Sequence, residues 1–127
     1  MLREILTVAV VMLVMDAIWL TANNATHRVI FAAIQGQPMV VRYLPAAIVY
    51  ILMIVATWYL AVKPATDWQG AAGRGALLGA AMYGVYDMTN YATLAKYPLS
   101  FALTDMAWGT FLCAVTAATA VAVTKMI

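Results

Sequence analysis

The sequence predicts an all-α fold: a four-transmembrane-helix bundle with an amphipathic interfacial helical segment between helices one and two. Three observations predict it. Of 127 residues, 66% are hydrophobic and only 9% charged, against roughly 45–50% and about 25% in soluble domains. The apolar residues gather into four runs, each near the roughly 20 residues that cross a hydrocarbon core. The polar and proline-containing stretches fall between these runs and leave no length for a soluble domain, so residues 1–127 read as a single integral membrane domain.

The first span covers residues 5–24. Arg3 followed by an apolar run resembles a signal peptide, but Asp16 interrupts the run and Ala22-Asn23-Asn24-Ala25 is a poor cleavage site. A retained span is therefore expected. In residues 25–35, Val29, Ile30, Phe31 and Ile34 recur at helical spacing beside Thr26, His27, Arg28 and Gln35, the pattern of a helix lying in the interface. Gly36-Gln37-Pro38 stops it. The second span, 43–62, carries no charge, and Pro45 sits in its first turn where proline is tolerated. The third covers 73–94 and ends at Lys96-Tyr97-Pro98; the fourth covers 101–125. Helix three is expected at the bundle centre. Ala72, Ala76, Ala80 and Gly84 repeat every four residues and Gly75-x-x-x-Gly79 lies beside them, small residues that let backbones approach in lipid.

Charge and composition narrow the partners. Seven scattered basic residues form no stripe for nucleic acid. One cysteine, one histidine, and no glycine-rich or zinc-spaced motif give no reason to expect a cofactor or a metal site. The partners expected are the lipid bilayer, a small-molecule ligand and a second copy of the chain. Arg3, Lys63, Arg74 and Lys125 fall on one side of the bundle and Arg28, Arg42 and Lys96 on the other. That slight excess places both termini in the cytoplasm by the positive-inside rule.

Three of the five acidic residues lie inside predicted spans: Asp16, Asp87 and Asp105. An aspartate at a helix centre costs about 2.5–3.5 kcal/mol on insertion scales, so each needs a local reason. Counted from the end opposite the termini, they lie roughly 12, 10 and 6 Å deep, all in the same half of the bilayer. Their helical faces are polar too. Trp19 and Asn23 share the Asp16 face, Tyr83, Asn90 and Tyr91 the Asp87 face, and Trp108, Gly109 and Thr116 the Asp105 face. The spacing in Asp16-x-x-Trp19 and Asp105-x-x-Trp108 suggests that each carboxylate has its own indole one turn away. Cationic partners, if any, come from His27, Arg28, Arg42 or Lys96.

Together these motifs resemble a known family. Asp16-Ala-Ile-Trp19-Leu20, Tyr86-Asp87-Met88-Thr89-Asn90-Tyr91-Ala92-Thr93-Leu94, Tyr97-Pro98-Leu99 and Asp105-Met-Ala-Trp108-Gly109 look like the small bacterial predicted membrane proteins catalogued as domain of unknown function 2177. Met88, Tyr91 and Tyr97 are mild departures from the family pattern. The resemblance implies four spans in a bacterial inner membrane. It also marks Asp16, Trp19, Tyr86, Asp87, Thr89, Asn90, Asp105 and Trp108 as signature positions, with no activity attached.

The candidate ligand or proton site is thus Asp16, Trp19, Asn23, Tyr83, Tyr86, Asp87, Thr89, Asn90, Asp105 and Trp108. Carboxylates among aromatic walls suit a cationic or amphipathic molecule, through charge pairing and cation–π contact, with proton exchange coupling its transport. Two alternatives use the same residues. One is an enzyme on a lipid or apolar substrate, by aspartate acid–base chemistry or with Mg²⁺ on the three aspartates and Asn90. The other is an accessory subunit whose polar cluster only fixes the bundle.

Overall fold

The computed structural model describes residues 1–127 and is all-helical. Helix α1 spans Leu2–Ala22, α2 Asn24–Gln35, α3 Tyr43–Thr57 with a π-helical continuation over Trp58–Val62, α4 Trp68–Thr93 and α5 Leu99–Lys125. The boundaries follow local chemistry. Asn23 interrupts the chain between α1 and α2, its side-chain amide turned back onto the Trp19 carbonyl. Gly36, at φ 74°, ends α2 in the left-handed conformation that glycine adopts without penalty. Asp67 caps α4 by accepting from the Gly70 amide at 2.7 Å, which starts that helix five residues earlier than the apolar run alone suggests.

Only 21 of the 127 residues are buried, and the exposed side chains include Leu6, Val10, Leu13, Val14 and Ile18 of α1 and Ile48, Ile51, Leu52 and Val55 of α3. A monomer in water does not expose apolar rows of that extent; in a bilayer they are its lipid face. Helices α1, α3 with its π-turn, and α5 are long and apolar enough to cross a membrane. Helix α4 is as long, but Arg74, Asp87 and five glycines lower its mean hydropathy.

Helices α4 and α5 form the tightest pair. A Cβ on Gly75 would collide with the backbone of Cys113, one on Gly79 with the carbonyl of Gly109, and one on Gly109 with the ring of Tyr83. The stripe that meets α5 is Ala71, Gly75, Gly79 and Asp87, one position beside the alanine row. Core packing fills the half of the bundle near the termini, where Val8, Ala61, Val62, Ala117, Ala120 and Val121 interlock. That end is also tied electrostatically. The Lys125 ammonium donates to the carbonyls of Val62, Lys63 and Ala65 at 2.8, 3.1 and 2.8 Å, satisfying groups that the end of α3 leaves open. Glu4 lies 3.8 Å from the same ammonium and accepts from the Trp58 indole at 3.0 Å.

The opposite half is looser. Helix α2 has no buried residue and docks through ring edges, His27 on Phe101 at 5.2 Å and Phe31 on Phe101 and Tyr97 at 6.0 and 6.4 Å.

The glycine contact makes a prediction. Gly79→Ala should lower stability by about 1–3 kcal/mol, the usual cost of forcing extra volume into a packed interface. Gly73→Ala, with nothing within 4 Å, should change it by no more than about 1 kcal/mol. Thermal unfolding of both variants in the same detergent measures the difference.

Candidate functional site

Asp16 is the hub of the loose half. Its carboxylate is 6% exposed. The Tyr50 hydroxyl of α3 donates to its Oδ2, and the Trp108 indole of α5 donates to its Oδ1 at 3.0 Å. Three helices therefore meet at one carboxylate. Both donors are neutral, and the chain's single ion pair, Glu4–Lys125, lies at the other end. Arg28 is engaged by Asn24 and the Met39 carbonyl. The carboxylate has no counter-cation in the protein.

The Asp-x-x-Trp spacing resolves differently from the expectation. Trp108 bonds the carboxylate of α1 rather than Asp105 of its own helix. The two indoles, Trp19 and Trp108, stack on each other with centroids 4.6 Å apart and planes 5° from parallel. The similar motifs on two antiparallel helices thus build one cross-helix unit. The Trp19 indole nitrogen is buried without a partner.

Asp87 is fully buried on α4. The Tyr97 hydroxyl, from the turn between α4 and α5, donates to its Oδ1 at 2.6 Å, and its Oδ2 has no partner. Burial, reinforced by the bond to Asp87, pushes the Tyr97 phenol well above its ordinary value, so the hydroxyl remains a donor. Asp105, on α5, is partly buried and shares a cavity wall with Asp16. The three carboxylates do converge in one half of the bundle, as their depths require.

A cavity of about 590 Å³ opens beside them. Twelve of its fifteen lining residues are hydrophobic; the polar exceptions are Asp16, Asp105 and His27. Trp19, Tyr83 and Tyr86 share its wall with Leu52 and Met53 of α3 and Phe31 of α2. Burial holds His27 below the ordinary imidazole range, against the opposing pull of the Asp16 charge, so it faces the cavity as a neutral ring.

Not every residue marked in the sequence joins the site. Asn23 bonds its own helix, Thr89 is exposed with its carbonyl taken by Thr93, and Asn90 lies outside the cavity beside Tyr86 and Tyr97. No three His, Cys, Asp or Glu side chains are grouped to ligate a metal, so the Mg²⁺ arrangement does not form. Two residues are additions. Tyr50 lies seven residues into α3, roughly 10 Å deep at 1.5 Å per residue, so the depth count that aligns the aspartates would have matched it to Asp16. Tyr97, read as an interfacial aromatic, is 3% exposed and is the sole hydrogen-bond partner of Asp87.

Tyr97→Phe removes that partner and leaves both oxygens of Asp87 unsatisfied. The expected loss is about 1–3 kcal/mol of stability, read as a lower melting temperature in detergent. Tyr91→Phe, a change at an exposed ring, should leave the melting temperature where it is.

No curated protein and no solved structure matches the chain. The model of the family described as predicted membrane protein (DUF2177) matches residues 1–122, and the chain belongs to that family.

Proposed function

We propose that this membrane protein binds a small amphipathic monocation in the cavity and transports it in exchange for protons. One observation carries the reading. Asp16 is a buried carboxylate, held by two neutral donors and facing a largely apolar cavity, with no cation of the protein to balance it. A buried charge without a partner is costly, and a ligand that brings the opposite charge removes the cost. Trp19, backed by the stacked Trp108 ring, and Tyr83 line the cavity and offer aromatic faces to the same cation. The remaining wall is hydrocarbon and suits an apolar body rather than a strongly hydrated ion.

In this reading α4 spans the membrane as the fourth helix. It packs against α5 from Gly75 beside Cys113 to Gly84 beside Met106 and presents Leu77 and Val85, 74% and 70% exposed, to lipid. The three aspartates are then intramembrane groups, the bilayer is a bacterial inner membrane, and both termini face the cytoplasm. The cavity lies in the half away from the termini, and the ties around Lys125 seal the other end. The cation is therefore taken up from the side of α2, and a second copy of the chain would complete the pathway.

The test uses an isosteric pair of opposite charge, tetraphenylphosphonium and tetraphenylborate, with purified protein in detergent and equilibrium dialysis. The cation should bind and the anion should not. Asp16→Asn should weaken cation binding about thirtyfold, the equivalent of roughly 2 kcal/mol for a buried charge pair. Equal binding of both ions, or no change in the variant, would sink the proposal.

A further inference from the structure

Asp16 has no counter-cation, yet one side chain on the cavity wall can become one. His27 of α2 lines the same cavity, and no lysine or arginine does. Arg28, Arg42 and Lys96 belong to that end of the bundle, but they are exposed and stand outside the wall. The His27 ring is held in place. His27 and Phe31, one helical turn apart, form the face of α2 that meets the cavity, and both rings pack edge-on against Phe101 of α5.

The groups facing this ring are acids and phenols. Asp16 of α1 and Asp105 of α5 share the cavity wall with it, and α4 presents the phenols of Tyr83 and Tyr86. The Tyr50 hydroxyl of α3 is bonded to Asp16, and that of Tyr97 in the turn to Asp87. On α2 itself, Arg28 is engaged by Asn24 and the Met39 carbonyl. Phenols are neutral at physiological pH. An imidazolium at His27 therefore meets acidic groups and no second base.

We infer that His27 is the proton carrier of the exchange: its imidazolium is the cavity's internal cation, and a bound ligand cation takes its place. The inference rests on the reading of the cavity as a cation site. Two positive charges in one apolar cavity repel, so the cavity holds one or the other. The step balances. The N–H bond of the imidazolium breaks, its electron pair stays on the ring nitrogen, and the proton goes to water on the α2 side. One positive charge replaces another, so the net charge of the cavity is the same before and after. Neither state leaves the Asp16 carboxylate uncompensated.

The sign of the pH dependence follows. Burial lowers the His27 imidazole from its ordinary 6.5, against the pull of the Asp16 charge. Cation binding is then full above the ordinary imidazole range. It weakens as pH falls through the lowered His27 value and protons compete for the cavity.

The chain has one histidine, so its imidazole resonances report on this site alone. In an NMR titration of histidine-labelled protein in detergent, His27 should have its midpoint below 6.5. Saturating tetraphenylphosphonium should lower its proton affinity about tenfold, the reciprocal of the proton's effect on the cation. Asp16→Asn should lower it as well, because the favouring charge is gone. Equilibrium dialysis gives the second readout. Wild-type affinity for tetraphenylphosphonium should fall roughly tenfold between pH 8 and pH 4.5, and His27→Gln should lose most of that fall. Any pH dependence from Asp16 or Asp105 survives in the variant, so the difference belongs to His27.

A His27 midpoint that the bound cation leaves in place overturns the inference while the cation site stands. An equal acid fall in His27→Gln puts the proton on a carboxylate and overturns it too. The titration uses the native sequence and decides the matter if the variant does not fold. If tetraphenylphosphonium binds at no pH, the cation reading fails, and the exchange at His27 fails with it.

Discussion

The loose half of this bundle depends on one interaction: the carboxylate of Asp16 drawing a phenol from α3 and an indole from α5 onto α1. Close packing between these helices there is limited to one small cluster, Met12, Met53, Leu112 and Cys113. The α4–α5 pair is held by backbone contact at Gly75, Gly79 and Gly109, and the terminal half by interlocking alanines and valines. Beyond that cluster, neither contact extends between α1 and the first turns of α3. Hydrogen bonds to a charged group in a low-dielectric setting are stronger than neutral ones, and they bridge that region. A polar hub of this kind holds three helices together without filling the space between them, and so it coexists with a cavity.

The asymmetry of the two ends follows from the residue types available. Near the termini the side chains are small and aliphatic, and the carbonyls freed by the π-turn find the Lys125 ammonium, which in turn has Glu4 beside it. There Glu4 and Lys125 have each other, and the Lys125 ammonium also has three carbonyl acceptors. Near α2 the residues are large and aromatic, their rings meet edge to edge, and the acids have only neutral donors. The partly buried acid Glu4 is thus balanced within the protein at one end, and the buried acid Asp16 has no cation at the other. The same sequence makes a sealed half and a receptive half.

Much of this was legible before any coordinates. Length and hydropathy give the helices, and Gly36 and Pro98 give the limits of the interfacial segment and of the third run, because those signals are local; the break at Asn23, inside the predicted first span, is not given by them. The shared depth of Asp16, Asp87 and Asp105 depends only on helical rise and chain direction, so the clustering of the acids could be read as well. Partner choice could not. That Trp108 serves Asp16 rather than Asp105, and that Tyr50 and Tyr97 are donors rather than interface anchors, depends on how helices rotate against each other. Periodicity in a single helix carries little of that rotation when apolar residues surround it on every side, as they do in α1 and α3. The small-residue row shows the same limit. Both the alanine row and the Gly75–Gly79 pair fit close approach, and only the partner backbone selects the glycines.

The central claim is that the cavity at Asp16 is a seat for a cation. The most direct measurement is a crystal structure of the protein with tetraphenylarsonium, whose arsenic is located by its anomalous scattering. The account predicts one strong arsenic peak inside the cavity, between the Asp16 carboxylate and the Trp19 face. Arsenic found only along the lipid-facing rows, with the cavity empty at saturating ligand, would contradict it.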